Sequence, residues 1–276
     1  WSTLGFKGVS MKIIDEAADQ SLLCIDYDFE EDYPLHRELS RRQFQPGISE
    51  KEWWRYHNIH LGLRTLVAYD GSRPIGHIEF MPIDQAPFPV VGENLMMIHC
   101  MLVAKHARGS GVGWGLLEAA EEEARATSDG VAVFTGRSKS FMPASFFAHC
   151  GYLAADRSNK DWLLYKPFRD IAPPELLPMR PRSRGKDDRL NVAFFHCPQC
   201  PMSGWALERI RSQLKDHQDK IDLQVVHLDD RSKIEHYGLA RGLFIGRQQV
   251  GRFPPNPDLV LQQIARASQK RDLAAA

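Results

Sequence analysis

A glycine-rich stretch in the middle of the chain has the residue types that hold a phosphate group. In HARGSGVGWG, four glycines stand at alternate positions (Gly109, Gly111, Gly113 and Gly115), directly before an Ala-, Leu- and Glu-rich run that predicts a helix. The first turn of a helix presents unpaired N–H groups and partial positive charge, and glycine lets a phosphate approach the backbone because it has no Cβ. Arg108 adds a permanently charged donor. The stretch therefore predicts a phosphate site where the helix begins.

Two familiar phosphate-binding motifs do not fit this stretch. The mononucleotide loop ends in Gly-Lys-Ser/Thr, whereas Gly113 is followed by Trp114. The dinucleotide fingerprint needs its third glycine where this chain has Trp114, and an acidic residue about 20 positions later. The simpler alternative, that the glycines serve only close helix packing, does not explain Arg108 or the apolar strand before it.

A second candidate site is the cysteine pair in HCPQCP. Cys197 and Cys200 stand between NVAFF, which predicts a buried strand, and an amphipathic run that predicts a helix. A C-x-x-C at such a junction is typical of thioredoxin-like redox motifs, because a helix N-terminus stabilises a thiolate and lowers its pKa. We predict Cys197 as the nucleophile and Cys200 as the resolving thiol. A structural or regulatory pair, or metal or metalloid binding, stays open, although two cysteines cannot complete a tetrahedral zinc site.

Alternating strands and helices must position the glycine loop. TLVAYDGSRPIGHIEFMPI has two apolar runs around a turn, which predicts a hairpin. NLMMIHCMLVA and GVAVFTG predict buried strands, and the loop and helix between them make the two strands parallel. SEKEWWRYHN predicts a helix with Ser49 as N-cap. MPASFFAHCGY predicts a short helix with Pro143 in its first turn and Gly151 past its end, and DWLLYKP predicts a closing strand.

A proline-rich stretch divides the chain. Five prolines occur between residues 166 and 191, where a helix or a central strand would be unfavourable. We predict a linker over residues 167–190, a first domain over 1–166 and a second over 191–276. After the CPQC loop and its helix, the second domain has a strand in IDLQVVH, a hairpin in LARGLFIGRQQVGRF and a last helix opened by Asn256 before Pro257.

Composition excludes several classes of protein. The 276 residues contain 35 Lys and Arg and 35 Asp and Glu, so the net charge gives no support for nucleic acid or an anionic membrane as partner. No apolar run approaches the roughly 18 residues of a membrane span, and no signal-peptide pattern is present. The five cysteines do not form a secreted disulfide framework. We expect a cytoplasmic protein and predict no metal ligand set.

The segment Arg108–Gly113 fits the pattern Arg/Gln-x-x-Gly-x-Gly/Ala, which resembles the acetyl-CoA signature of the GNAT superfamily of N-acetyltransferases. The resemblance extends over most of residues 11–167 and includes a helix that ends in the pair Gly151-Tyr152. It implies an α/β fold with a splayed, mixed central sheet, and acetyl-CoA as cofactor. It also implies that pantetheine pairs with the long strand at Met101 and Val103. The loop residues whose amides would bind the CoA pyrophosphate are Arg108, Gly109, Ser110, Gly111, Val112 and Gly113.

Acetyl transfer to an amine needs a neutral amine, and an amine pKa of about 10 calls for a base or a proton relay at pH 7. His99 is the first candidate, because it precedes Val103 by four residues and strand alternation places both on one face. Glu79 and His77, in GHIEF, are further candidates. The alternatives are a core histidine at 99 and solvent-facing polar residues at 77 and 79, and a bulge in the long strand would change the facing of His99.

The family often supplies a tyrosine general acid four residues before the glycine of the Gly-aromatic pair. Here that position is Phe147, which cannot donate a proton. Ser145, Cys150 and Tyr152 are near in sequence, but none of them is singled out as a replacement. This departure leaves open a domain that binds acyl-CoA with little or no catalysis.

The whole order resembles acetyltransferases with a C-terminal, thioredoxin-like domain of the YoaP-like family. The stretches MMIHCMLVA, DGVAVFT and YGLARGLFIGRQQVG carry this resemblance. YGLARGLF lacks the cis-proline of thioredoxin-like oxidoreductases. We predict an acetyl-CoA-dependent N-acyltransferase that acts on a small-molecule or peptide amine by direct transfer in a ternary complex, with a CPQC accessory domain. The alternative is a redox or thiol-sensing protein whose first domain senses acyl-CoA.

Overall fold

A computed structural model describes residues 3–6, 9–15, 41–136, 142–158, 161–180, 189–250 and 260–267. The chain divides into two compact units. The first comprises residues 1–41 and 55–177, and the second comprises residues 42–54 and 178–276. Among the described residues, no helix combines the length and the apolar character that crossing a membrane requires.

The first unit is built on a mixed sheet of eight strands. Its ten strands, in chain order, are β1 (Thr3–Phe6), β2 (Val9–Asp15), β3 (Arg64–Asp70), β4 (Arg73–Pro82), β5 (Val90–Val91), β6 (Leu95–Val103), β7 (Gly130–Gly136), β8 (Leu153–Arg157), β9 (Asp161–Pro167) and β10 (Glu175–Leu176). The large sheet has the order β1-β2-β3-β4-β6-β7-β9-β8, and β5 pairs with β10 separately. Among the described strands of this unit, only the pair β6–β7 is parallel, as the sequence predicted for these two strands.

Helices stand between these strands in chain order. They are α1 (Arg41–Asn58), α2 (Val112–Arg125) and α3 (Ala144–His149). The predicted helix α2 is confirmed between the two parallel strands, and it buries one face against the sheet because its small and apolar residues recur at helical spacing. These buried residues are Val112, Leu116, Leu117, Ala120 and Ala124. The predicted short helix α3 is also confirmed, with Gly151 past its end at a φ of +87°.

Two local predictions for the first part of the chain are wrong. Ser49 does not cap a helix, because α1 begins at Arg41 and runs through Pro46 and Gly47, two residues that usually interrupt a helix. Strand β8 was not predicted at all. Its residues LAADR show no apolar alternation and are mostly exposed, so its place in the sheet depends on pairing with β9.

An extra residue in β6 opens the sheet. Glu79 of β4 pairs with Cys100, whereas the next residue, Phe80, pairs with Ile98, so His99 is the additional residue of a β-bulge. The ladder between β6 and β7 includes Leu95 to Ile98, and within the described residues it ends there. The carboxyl half of β6 therefore diverges from β7, which confirms the predicted splayed, mixed sheet.

The second unit has a four-stranded sheet of order β12-β11-β13-β14. Its elements are β11 (Leu190–His196), α4 (Pro201–Leu214), β12 (Ile221–His227), α5 (Arg231–Tyr237), β13 (Gly242–Ile245), β14 (Gln248–Gln249) and a helix over residues 260–267. Strand β11 runs parallel to β12 and antiparallel to β13. The predicted strands and the β13–β14 hairpin are present, while the proposed helix start at Asn256 and Pro257 lies outside the described residues.

The second unit also contains residues 42–54 of helix α1, which the sequence placed in the first domain. This segment packs against the start of α4 through two glycines. A Cβ on Gly47 would collide with the carbonyl oxygen of Pro201, and a Cβ on Gly204 would lie 2.9 Å from the Cα of Gly47. Glycine at these positions therefore permits a backbone approach that no other residue allows.

Candidate functional site

The glycine loop follows β6 and ends where α2 begins. Gly109 and Gly111 have φ angles of +77° and +93°, which only glycine adopts without strain. The Ser110 hydroxyl donates a hydrogen bond to the carbonyl of Ala107 at 2.6 Å, and Arg108 Nε donates to the carbonyl of Val103 at 3.2 Å. The loop is thus anchored to the end of β6 while the Arg108 side chain stays exposed.

The four alternate glycines serve two different purposes. At Gly109 an added Cβ would meet nothing within 4 Å, so the backbone conformation alone demands glycine there. At Gly113 a Cβ would lie 3.2 Å from the Met101 Cε, and Gly115 is buried, so close packing favours glycine at these two positions. The first pair shapes the loop and the second pair seats the helix on β6.

The structure brings the predicted pantetheine strand to the loop. Met101 and Val103 lie in the part of β6 that diverges from β7, and both pack on the core face that also holds α2. Gly113 of α2 is adjacent to both side chains. The predicted cofactor residues of the strand are therefore neighbours of those at the helix start.

Five polar residues form a buried group on the other face of the sheet, which we call the β4–β6 cluster: Arg55, His77, Glu79, His99 and Cys100. The Glu79 carboxylate lies 3.8 Å from Arg55 Nε and 3.9 Å from His99 Nδ1. The Cys100 sulfur lies 3.5 Å from His77 Nε2. Strands β4 and β6 and helix α1 contribute to this group, which places charge and hydrogen-bonding atoms where water is excluded.

The prediction that His99 shares a face with Val103 is wrong. Alternation would place residues 99, 101 and 103 together, but the bulge puts His99 and Cys100 consecutively on the face of Glu79, whereas Met101 and Val103 pack on the opposite face. Solvent-facing roles for His77 and Glu79 are also excluded, because both side chains are 0% exposed. Sequence analysis missed Arg55, and no local signal marks it.

Phe147 occupies a packed position. It is fully buried and makes edge-to-face ring contacts with Phe146 and Tyr152. Burial, followed by the nearby Glu121 carboxylate, raises the pKa of Tyr152 well above its usual range, and burial also raises the pKa of Cys150. Both groups keep their protons at neutral pH and are poor proton donors, so neither replaces the missing tyrosine acid by its acidity.

The cysteine pair of the second unit differs from its prediction. Cys197 is buried, and desolvation, assisted by the neighbouring Cys200, raises the pKa of its thiol to about 11. The expected lowering of this pKa is wrong because helix α4 begins only at Pro201, so Cys200 and not Cys197 stands at its N-cap. Cys200 is also the more exposed of the two.

His196 lies beside this pair in a group that we call the β11 cluster: Glu50, His196, Cys197 and Ser203. His196 Nδ1 lies 2.9 Å from the Ser203 hydroxyl, which also accepts the Cys197 backbone N–H at 2.9 Å. Glu50 Oε2 lies 3.1 Å from His196 Nε2, a short contact without hydrogen-bond alignment. A cavity of about 340 Å³ adjoins the cluster and is lined by Ser49, Glu50, Trp53, His196, Pro198, His227 and Asp229. Sequence analysis did not identify Glu50, Ser203 or His227.

Comparison with known proteins finds similarity in the first part of the chain. Residues 30–152 match the model of the "Acetyltransferase (GNAT) family". The chain is also similar to the "Uncharacterized N-acetyltransferase YoaP" of Bacillus subtilis (strain 168), with 24% identity over 180 residues. That similarity covers 63% of this chain and 69% of the relative. It is longer than the family match and therefore includes residues outside it.

Solved GNAT structures are similar to 57–59% of this chain. A putative acetyltransferase from Desulfovibrio desulfuricans has 15% identity, a TM-score of 0.43 and 99% of its own chain covered. A Brucella melitensis acetyltransferase in complex with acetyl-CoA has 17% identity, a TM-score of 0.39 and 91% of its own chain covered. The PaiA N-acetyltransferase of Thermoplasma acidophilum, in complex with coenzyme A, has 18% identity, a TM-score of 0.43 and 99% of its own chain covered.

Proposed function

We propose that the chain is an acetyl-CoA-dependent N-acyltransferase that transfers the acetyl group directly to an amine in a ternary complex. The observation that carries this proposal is the meeting of the glycine loop, the start of α2 and the diverging half of β6 in a GNAT domain. The helix start supplies backbone donors for the pyrophosphate, and Arg108 supplies a permanent positive charge. The opening between β6 and β7 leaves room for pantetheine to lie along Met101 and Val103.

The β4–β6 cluster supplies the acid–base chemistry in this proposal. As the amine nitrogen attacks the thioester carbonyl, the carbon–sulfur bond breaks, CoA leaves as a thiolate and the amine loses a proton. Glu79 and His99 are the groups proposed to take that proton, and their 3.9 Å separation allows them to act as a pair. Arg55, at 3.8 Å, holds the Glu79 carboxylate in place.

Calorimetry with acetyl-CoA tests the cofactor site. The double variant Arg108→Ala/Gly111→Asp should abolish binding, because it removes a cation and places a carboxylate and a Cβ at the phosphate position. Gly71→Asp is a matched control, since Gly71 also has a positive φ (+60°) but lies in the β3–β4 turn with open space around it. No binding by the parent chain at millimolar acetyl-CoA would overturn the proposal.

The proposed acceptor is a small-molecule or peptide amine. A screen of amines and peptides for acetyl transfer, read by release of free CoA thiol, would identify the substrate class. The screen also addresses the alternative that the domain binds acyl-CoA as a sensor, for which the specific observation is the packed, non-acidic Phe147. CoA binding without transfer to any amine would favour the sensor.

For the second unit we propose a thioredoxin-like accessory domain. The strand order β12-β11-β13-β14, with β11 and β12 parallel and β13 antiparallel, supports this assignment, as does the cysteine pair between β11 and α4. Arg241 stands immediately before β13 and acts electrostatically on Cys197. We propose that the pair undergoes reversible thiol oxidation. The test compares insulin-disulfide reduction by the parent chain with reduction by the variant Cys200→Ser. Equal activity of the two proteins would exclude this role.

A further inference from the structure

The β4–β6 cluster contains three side chains of the types that bind transition metals. The Cys100 sulfur, a His77 ring nitrogen and a Glu79 carboxylate oxygen all lie within 4.8 Å of one another. Strand pairing fixes this arrangement, because Glu79 pairs directly with Cys100 and His77 precedes Glu79 by two residues on the same face of β4. Paired backbones of two neighbouring strands therefore hold the three ligand atoms together.

The sulfur-to-nitrogen distance matches what a bound ion requires. Zinc binds a thiolate at about 2.3 Å and an imidazole nitrogen at about 2.0 Å, so a tetrahedral angle separates the two ligand atoms by roughly 3.5 Å. The Cys100 sulfur and His77 Nε2 are 3.5 Å apart. An ion can therefore replace the proton between these two atoms with little movement of either strand.

The chemistry of the group selects the kind of ion. A thiolate and an imidazole favour zinc-like transition metals over magnesium or calcium, which prefer oxygen ligands. Thiolate and carboxylate together carry two negative charges that neutralise a divalent cation at a site from which water is excluded. Residual exposure is 0% for His77 and Glu79 and 6% for Cys100.

We propose that Cys100, His77 and Glu79 bind a divalent transition-metal ion of the zinc class. The sequence predicted no metal ligand set, because the three residues follow no metal-binding spacing and only the bulge at His99 turns Cys100 toward β4. One consequence rests on the proposed function. An ion held by Glu79 removes that carboxylate from proton transfer, so metal binding inhibits acetylation.

Cobalt(II) is the probe for this site. The parent for the experiment is the full chain with Cys197→Ser and Cys200→Ser, which removes the other cysteine pair. Because the ligand atoms are buried, cobalt is added both to the folded protein and during refolding. We expect a thiolate-to-cobalt charge-transfer absorption at one ion per chain, which zinc displaces. Cys100→Ser should abolish this absorption, and Cys150→Ser, at another buried cysteine, should retain it.

The result that overturns the proposal is a parent chain without the charge-transfer band, or a band that persists in Cys100→Ser. Thermal unfolding without metal checks that the variants fold. If Cys100→Ser does not fold, the variant His77→Gln tests the proposal instead. We expect His77→Gln to weaken cobalt binding at least about a hundredfold, because removing a ligand costs more affinity than removing an outer-shell partner. These readouts need no acetyl transfer, and acetyl-CoA calorimetry on the same samples keeps a failure of the proposed function separate.

Discussion

In the part of the chain that the structure describes, the β4–β6 cluster and the β11 cluster each bring together a cysteine, a histidine and a glutamate, but the contacts among these residues differ. In the β4–β6 cluster the Cys100 sulfur faces the imidazole of His77 at 3.5 Å. In the β11 cluster the imidazole of His196 faces the Ser203 hydroxyl, and the Cys197 thiol points to the side-chain oxygen of Gln199 at 4.0 Å. The same residue types thus give a coupled thiol–imidazole pair in one place and a separated pair in the other.

The difference comes from how each pair is placed on its strands. His77 and Cys100 belong to neighbouring strands and share one face, so their side chains converge. His196 and Cys197 are consecutive at the end of β11, and consecutive residues of an extended chain point in different directions. Residue type alone therefore does not determine whether a thiol meets an imidazole, whereas the position of each residue on its strand does.

The largest expected effect separates the two glutamates. Glu79→Gln should lower kcat for acetyl transfer by about 10²–10⁴, because the neutral amide cannot accept the amine proton. Acetyl-CoA affinity should be unchanged, since Glu79 lies on the face opposite Met101 and Val103. Steady-state kinetics with an amine from the screen, together with calorimetry, measure both quantities.

The matched control is Glu50→Gln, which changes the glutamate of the β11 cluster and should leave acetyl transfer as in the parent. Thermal unfolding must show that Glu79→Gln is folded, because Arg55 would lose its charged partner. A Glu79→Gln protein with the parent's rate, or equal losses in both variants, would contradict the proposed division of roles.

Local sequence patterns were enough to predict the framework around the glycine loop. Apolar runs and turn residues predicted the β3–β4 hairpin and helices α2 and α3, because each depends on neighbouring residues, and the strand–helix–strand order predicted the parallel pair β6–β7. The loop could be predicted for the same reason, since Gly109 and Gly111 are required by their own backbone angles. Strand β8 was missed because its residues LAADR have no alternating apolar pattern, and only its pairing with β9 shows it as a strand.

Neither polar cluster could be predicted in the same way. An extra residue in β6 leaves no trace in the apolar pattern MMIHCMLV, yet it reverses the face of His99 and turns Cys100 toward Glu79. In the second unit, Glu50 reaches His196 only because Gly47 and Gly204 let α1 and α4 approach closely. Both arrangements depend on contacts between residues far apart in the chain.

An effect of intermediate size is expected on the pH dependence of the free energy of unfolding, and it comes from the Cys197 thiol. An unfolded cysteine ionises near pH 9, whereas burial raises the pKa of Cys197 to about 11 in the folded chain. The stabilisation from the neutral thiol is therefore complete below pH 9 and is lost as pH rises through 11. Over this window the free energy of unfolding should fall by about 2–3 kcal/mol more in the parent than in Cys197→Ala.

Urea unfolding at a series of pH values from 8 to 11 measures this difference, and subtraction of the two proteins removes the contribution of lysines and tyrosines. Identical pH profiles for the parent and Cys197→Ala would show that the thiol is not desolvated, and the contrast between the two clusters would then rest on geometry alone.

The smallest expected effect is on the stability of the fold, and it tests the hydrogen bonds of the β11 cluster. Ser203→Ala removes the hydroxyl that accepts the Cys197 backbone N–H and contacts His196 Nδ1, and it leaves both groups buried without that partner. We expect a loss of about 1–3 kcal/mol in the free energy of unfolding. Ser212→Ala, at an exposed position of the same helix, should cost much less. A Ser203→Ala protein as stable as Ser212→Ala would mean that the Ser203 hydroxyl does not stabilise the cysteine loop, although it contacts both His196 and the Cys197 backbone.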